Sequence, residues 1–131
     1  MILVDSSVWI DYFIGRDSPQ TERLDALLGE ELVAIGDLML VEVLQGFRSD
    51  KDNRLAKKLL LSLTVVNLLD TNIALKSAHN FRVLRKKGIT VRKSIDAIIA
   101  TYCIENKLSL LHSDKDFLPF RKHLKLKLVG F

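Results

Sequence analysis

A single cysteine, two prolines and three histidines are all that 131 residues hold of the side chains that build disulfide frameworks, stiff linkers or nitrogen-ligated metal centres. Cys103 alone excludes an intrachain disulfide and a thiolate zinc cluster, fits a reducing compartment and suits core packing. His79, His112 and His123 are scattered without a partner pattern, which disfavours zinc, and none is assigned a catalytic role. His112 draws notice only because it adjoins Asp114. No stretch is dominated by Pro, Gly, Ser or one charge sign, so neither a linker nor a disordered tail stands out. No apolar run approaches a membrane span. The start, MILVDSSVWIDYF, has no basic segment ahead of its four apolar residues, unlike a signal peptide. The expectation is a cytoplasmic protein with residues 1–131 as one domain.

What is present is ample apolar material, 48% of the chain, for one core, and a formal charge of +4 that leans mildly toward polyanions such as nucleic acid. Short β-prone runs alternate with segments of helical spacing. Strands are expected at Ile2–Val4, Leu32–Ile35, Val65–Leu69, Leu108–Leu111 and Leu126–Val129. Between them lie helices from Ser6 or Ser7 as cap to Tyr12, over Pro19–Leu28, over Leu38–Phe47 behind an Asp37 cap, and over Asp52–Leu63. Another opens at Asp70–Thr71 with Ile73, Ala74, Ala78, Phe81 and Leu84 on its inner face and stops at Gly88, and a last one runs from Ser94 to about Asn106. Strands separated by helices imply an α/β fold, a central parallel sheet flanked by helices on both faces, whose ligands gather at the carboxyl ends of strands.

Four carboxylates stand at such places. Asp5 ends the first strand and Asp114 follows a later one. Glu42 lies in LMLVEVLQGF with apolar neighbours on most helical faces and no Lys or Arg within a turn, and Asp96 opens the apolar helix SIDAIIATYCI. A buried carboxylate is costly unless a cation or donors compensate. Each alone has a plainer reading: Asp5 as a solvated strand end, Asp96 as a charge at the positive helix end, Asp114 or Asp116 as loop caps. Together they form an oxygen-only ligand set of the kind Mg²⁺ or Mn²⁺ prefers. Two such ions can activate a water and stabilise the leaving oxygen of an in-line phosphodiester displacement.

The segments VDSSVWIDYF, VEVLQGF and VRKSIDAIIATYCIENKLSLLHSDKDF, in this order and spacing, resemble the PIN domain, and especially VapC-type toxins of bacterial and archaeal toxin–antitoxin pairs. The likeness spans nearly the whole chain. It implies a Mg²⁺- or Mn²⁺-dependent ribonuclease with Asp5, Glu42, Asp96 and Asp114 as its acidic site, Asp116 as a more peripheral fifth carboxylate, a VapB-type antitoxin as partner and a homodimer. It also implies that Ser7 helps order a metal-bound water. On this view Asp5, Asp96 and Asp114 hold the metals, Glu42 ligates one ion or positions its water, and a metal-activated water attacks.

Arg92 and Lys93, just ahead of the Asp96 helix, are candidate phosphate contacts or ordinary loop cations. Arg85, Lys86 and Lys87 suit a basic last helical turn better than a substrate channel. Trp9, Tyr12 and Phe13 suit core or dimer packing. Two other functions compete. An Asp-nucleophile phosphohydrolase also uses Asp at the end of a first strand, but wants a second Asp where Ser7 stands. A PIN-like module without activity would bind RNA or protein only, yet no acidic position is lost. DNA in place of RNA remains open, since a metal cluster attacks either phosphodiester.

Overall fold

In the computed structural model, which describes residues 1–30 and 32–130, the alternation read from the sequence becomes a five-stranded sheet. In chain order the elements are β1 (Ile2–Val4), α1 (Ser6–Phe13), α2 (Pro19–Leu28), β2 (Val33–Gly36), α3 (Asp37–Leu44), α4 (Asp50–Leu61) and β3 (Thr64–Val66). There follow α5 (Thr71–Lys86), α6 (Ser94–Asn106), β4 (Ser109–Leu111), a 3-10 turn at Lys115–Phe117, α7 (Leu118–Leu124) and β5 (Lys127–Leu128).

The strand order is β3-β2-β1-β4-β5, and every neighbouring pair is parallel. From β1 the chain steps outward through β2 to β3, then returns to the far side of β1 for β4 and β5. The direction of travel reverses between β1 and β4. Parallel neighbours need crossovers, and crossovers of one hand place helices on opposite faces when the direction of travel reverses. The main helix pairings separate accordingly: α1 with α2 and α3, and α3 with α4, in one group; α5 with α6 and α7 in the other.

A sheet covered on both sides buries its central strands whole. Leu3, Val4, Ala34, Ile35, Leu110 and Leu111 are all inaccessible, as are Trp9, Phe117 and Phe120 from the flanking segments. Burying a side chain of this kind contributes about 1.5–3 kcal/mol, so the site described below rests on the best-packed part of the molecule. Trp9 stacks on Phe13, which meets Phe47 edge-on, so the aromatic residues of α1 pack within the chain.

Several local expectations shift: α3 ends at Leu44 and not Phe47, α4 runs Asp50–Leu61 and not Asp52–Leu63, β2, β4 and β5 differ by a residue at their ends, and α7 is not among the expected helices. The cap of α1 is Asp5, not Ser6 or Ser7: its carboxylate accepts the Ser7 N–H. The cap of α3 is Gly36, and Asp37 instead accepts the backbone N–H groups of Leu38 and Leu68, tying the end of β2 to the chain beyond β3. That tie, together with full burial of Leu68, explains why β3 ends at Val66 and not at Leu69. On α5 the inward stripe is Ile73, Ser77 and Leu84, while Ala74 and Ala78 are exposed. Ala74 and Ala78 line an open groove that α5 forms with Ala97 and Ile98 of α6.

Gly36 shows a close approach. A Cβ there would lie 2.5 Å from Leu68 Cδ1 and 2.7 Å from Met39 Sδ, so only glycine lets α3 leave β2 this tightly over the core.

Candidate active site

Asp5 lies at the carboxyl end of β1 and Asp114 just beyond β4, on neighbouring strands at the point where strand order reverses. An open parallel sheet forms its crevice there. α6 points its first turn at the same place, which brings in Asp96. Ligand oxygens of Asp96, Asp114 and Asp116 all lie within 4.8 Å of one another. Asp5 adjoins this trio, and its charge is the strongest charge–charge influence on Asp96.

The burial is severe for charged groups: Asp5 is 6% exposed and Asp96 5%. Burial is the main cause that pushes the Asp96 carboxyl up to about 6, with the neighbouring charge of Asp5 next, Lys93 opposing, and Asp114 and Asp116 adding further. Burial likewise raises Asp5, against hydrogen bonds from Ser7 and the Ser6 backbone that favour the carboxylate, with Asp114 adding to the rise. Asp5 is therefore not the solvated strand end of the plainer reading. The buried Cys103 thiol on α6 is pushed up to about 12, chiefly by burial and further by the Asp5 charge.

Donors are few and one-sided. Ser7 gives both its N–H (3.1 Å) and its hydroxyl (2.6 Å) to Asp5 Oδ2. Asp114 accepts the Asp116 N–H through Oδ1, which caps the 3-10 turn. Asp116 accepts Arg92 Nε and Nη2 at Oδ2, at 3.1 and 2.8 Å. Asp96 Oδ2 is buried and has no hydrogen-bond partner among the described residues. An orphaned carboxylate oxygen beside three more carboxylates is an energetic fault in water, but it is the arrangement that an oxygen-ligated divalent cation repairs. The residues therefore fit such an ion.

Glu42 stands further out. It is half-buried on α3, and its Oε1 accepts the Ser6 hydroxyl at 2.8 Å. The compensation that its apolar setting demands comes from a serine next to Asp5, a donor that sequence reading missed. Ser113 was missed as well: its N–H donates to Ser7 Oγ at 3.1 Å, joining α1 to the Asp114 loop. Their only prior signal was adjacency to Asp5 and Asp114. Arg92 is held by Asp116 in an exposed ion pair, and Lys93 is the last residue before α6. His112 faces inward, with Nδ1 2.8 Å from the Asp114 carbonyl oxygen and its ring edge-on to Phe117, a role in shaping the loop.

The PIN domain family model matches residues 2–122. A VapC ribonuclease of Mycobacterium bovis and the ribonuclease VapC11 of Mycobacterium tuberculosis are each 29% identical over 133 aligned positions, which take in 100% of this chain and 99% of theirs. Two solved structures share the fold. VapBC2 from Rickettsia felis, bound to a DNA fragment from its promoter, gives a TM-score of 0.78 at 18% identity over 100% of this chain and 99% of that one. FitAcB from Neisseria gonorrhoeae gives 0.73 at 16% identity over 99% and 97%. The family match begins in β1 ahead of Asp5 and runs into α7 beyond Asp116, so it takes in all five acidic residues named above, and the chain belongs to the PIN domain family.

Proposed function

We propose that this protein is a Mg²⁺- or Mn²⁺-dependent ribonuclease and the toxin of a toxin–antitoxin pair. The observation that carries the reading is the meeting of Asp5, Asp96, Asp114 and Asp116 at the β1/β4 reversal, with a buried Asp96 oxygen left without a donor. A divalent cation held there supplies Lewis-acid charge that lowers the pKa of a water and offsets charge developing on the phosphate.

The chain's own residues supply position. Asp5, Asp96 and Asp114 would hold the cation, with Asp116 as a further, more peripheral ligand. Glu42, fixed by Ser6, orients the attacking water. Ser7 holds the Asp5 rotamer through two hydrogen bonds to Oδ2 and so would orient that carboxylate toward a cation. Arg92 and Lys93, exposed at the mouth of α6, meet substrate phosphate. A covalent aspartyl-phosphate route is disfavoured because Ser7, committed to Asp5, occupies the place of the second acid.

Full-length similarity to relatives named VapC ribonucleases supports RNA as the substrate, and the VapBC assembly among the structural neighbours supports a VapB-type antitoxin as the partner. The same reading makes the protein a cytoplasmic homodimer. No described helix is long and apolar enough to cross a membrane.

The test is cleavage of single-stranded RNA by the purified protein, with single-stranded DNA alongside. RNA cutting is expected with Mg²⁺ or Mn²⁺, to stop with EDTA, and to be abolished in Asp5→Asn and Asp96→Asn with circular dichroism unchanged. Cleavage retained in either variant, or unaffected by EDTA, overturns the reading.

A further inference from the structure

Beside the carboxylates the chain forms a second concavity that metal binding does not explain. The loop 89–92 ahead of α6 and α7 line an open cavity of about 510 Å³, a size typical of small-ligand sites. Leu118 and Lys122, and Pro119 and His123, are two pairs four residues apart that run along α7, and all four line the cavity. Phe120, on the other side of the helix, is buried in the core. Ile89 and Val91 line the opposite wall, and Arg92 and Lys115 complete the cationic part.

The lining combines apolar side chains and a planar ring with three fixed cations. Its one carboxylate, Asp116, is already paired with Arg92. The field left for a ligand is therefore positive. Asp116 also belongs to the trio with Asp96 and Asp114, so cavity and metal site share a wall.

We infer that this cavity holds one nucleotide of single-stranded RNA flanking the phosphodiester presented to the carboxylates. Its base lies against Leu118, Pro119 and His123, and its phosphate faces Lys115 and Lys122. The inference rests on the ribonuclease reading. Charge complementarity selects a polyanion. The apolar lining selects an unstacked base, because a duplex keeps its bases paired and offers only backbone and groove edges.

Lys122 is exposed and lies outside the acidic site, so Lys122→Glu tests the cavity without touching the machinery. His123→Ala removes the ring. Lys58→Glu on the exposed side of α4 is the matched charge control. The first readout is fluorescence anisotropy of a labelled single-stranded RNA decamer in EDTA, where nothing is cut. Lys122→Glu is expected to raise Kd about tenfold and flatten its salt dependence by roughly one phosphate contact. His123→Ala should raise Kd several-fold with the salt slope kept, and Lys58→Glu should change Kd less than twofold. With Mn²⁺, both cavity variants should raise KM and keep kcat.

Equal losses for Lys58→Glu and Lys122→Glu overturn the inference, as do unchanged Kd values or equal weakening toward duplex RNA. So does loss of poly-glutamate binding with RNA binding intact, which would make the cavity a site for an acidic peptide. Wild-type protein that cuts no RNA sinks the ribonuclease reading, whereas intact cutting with an unmoved Kd in both variants sinks the cavity alone.

Discussion

Ser7 Oγ donates a 2.6 Å hydrogen bond to Asp5 Oδ2 and accepts the Ser113 N–H at 3.1 Å. One hydroxyl thus sets the rotamer of a buried carboxylate and pins the loop that carries Asp114. Ser7→Ala should fold normally and lose about 10–100-fold in metal affinity or cleavage rate, with Ser7→Thr recovering most of it. A metal titration of cleavage checks this; wild-type half-saturation in Ser7→Ala would remove the role.

The raised Asp96 carboxyl makes metal-free stability depend on pH. A group whose folded pKa lies above its unfolded value favours the folded state fully below the unfolded pKa, near 3.8 for Asp, and that contribution is lost as pH rises through about 6. The shift corresponds to roughly 3 kcal/mol at most. Thermal melts in EDTA should therefore lose stability between pH 4 and 7, with Asp5 acting in the same sense. Asp96→Asn should flatten the profile and melt no lower than wild type at pH 7.5. A clearly lower melting temperature would show that Asp96 serves the helix dipole and not a cation.

Glu42 and Asp114 should separate. Glu42→Gln keeps an acceptor for the Ser6 hydroxyl and removes only charge, so cleavage should fall about 10–100-fold. Asp114→Asn should lose all detectable cleavage. Single-turnover rates at saturating Mn²⁺ compare the two, and equal losses would place Glu42 among the direct ligands.

Gly36→Ala should destabilise the fold by about 1–3 kcal/mol, since the added methyl meets Leu68 and Met39 well inside contact distance. Urea unfolding measures it. An unchanged midpoint would mean that Leu68 gives way freely.

Much of this was legible in the sequence for a physical reason. Asp5, Asp96 and Asp114 sit at the ends of apolar elements, and in a parallel sheet those ends converge, so position along the chain predicts position in space. β1, α2 and α6 agree with their expected bounds because apolar periodicity and end residues coincide there. Side-chain pairings between distant segments left no such trace. Ser6 and Glu42 are 36 positions apart and Arg92 and Asp116 are 24 apart. Periodicity says which face a residue occupies, not whether Asp5 or a neighbouring hydroxyl will cap a helix, nor which carboxylate each hydroxyl will reach.

The lone thiol of Cys103 on α6 is fully buried, with its pKa pushed up to about 12 by burial and further by the charge of Asp5. Held protonated and out of reach, it is inert to oxidants and alkylating reagents while the sheet stays closed on α6. Its rate of labelling consequently serves as a clock for transient opening around α6, readable in the unmutated chain, and a cation that bridges β1, β4 and α6 should slow that clock.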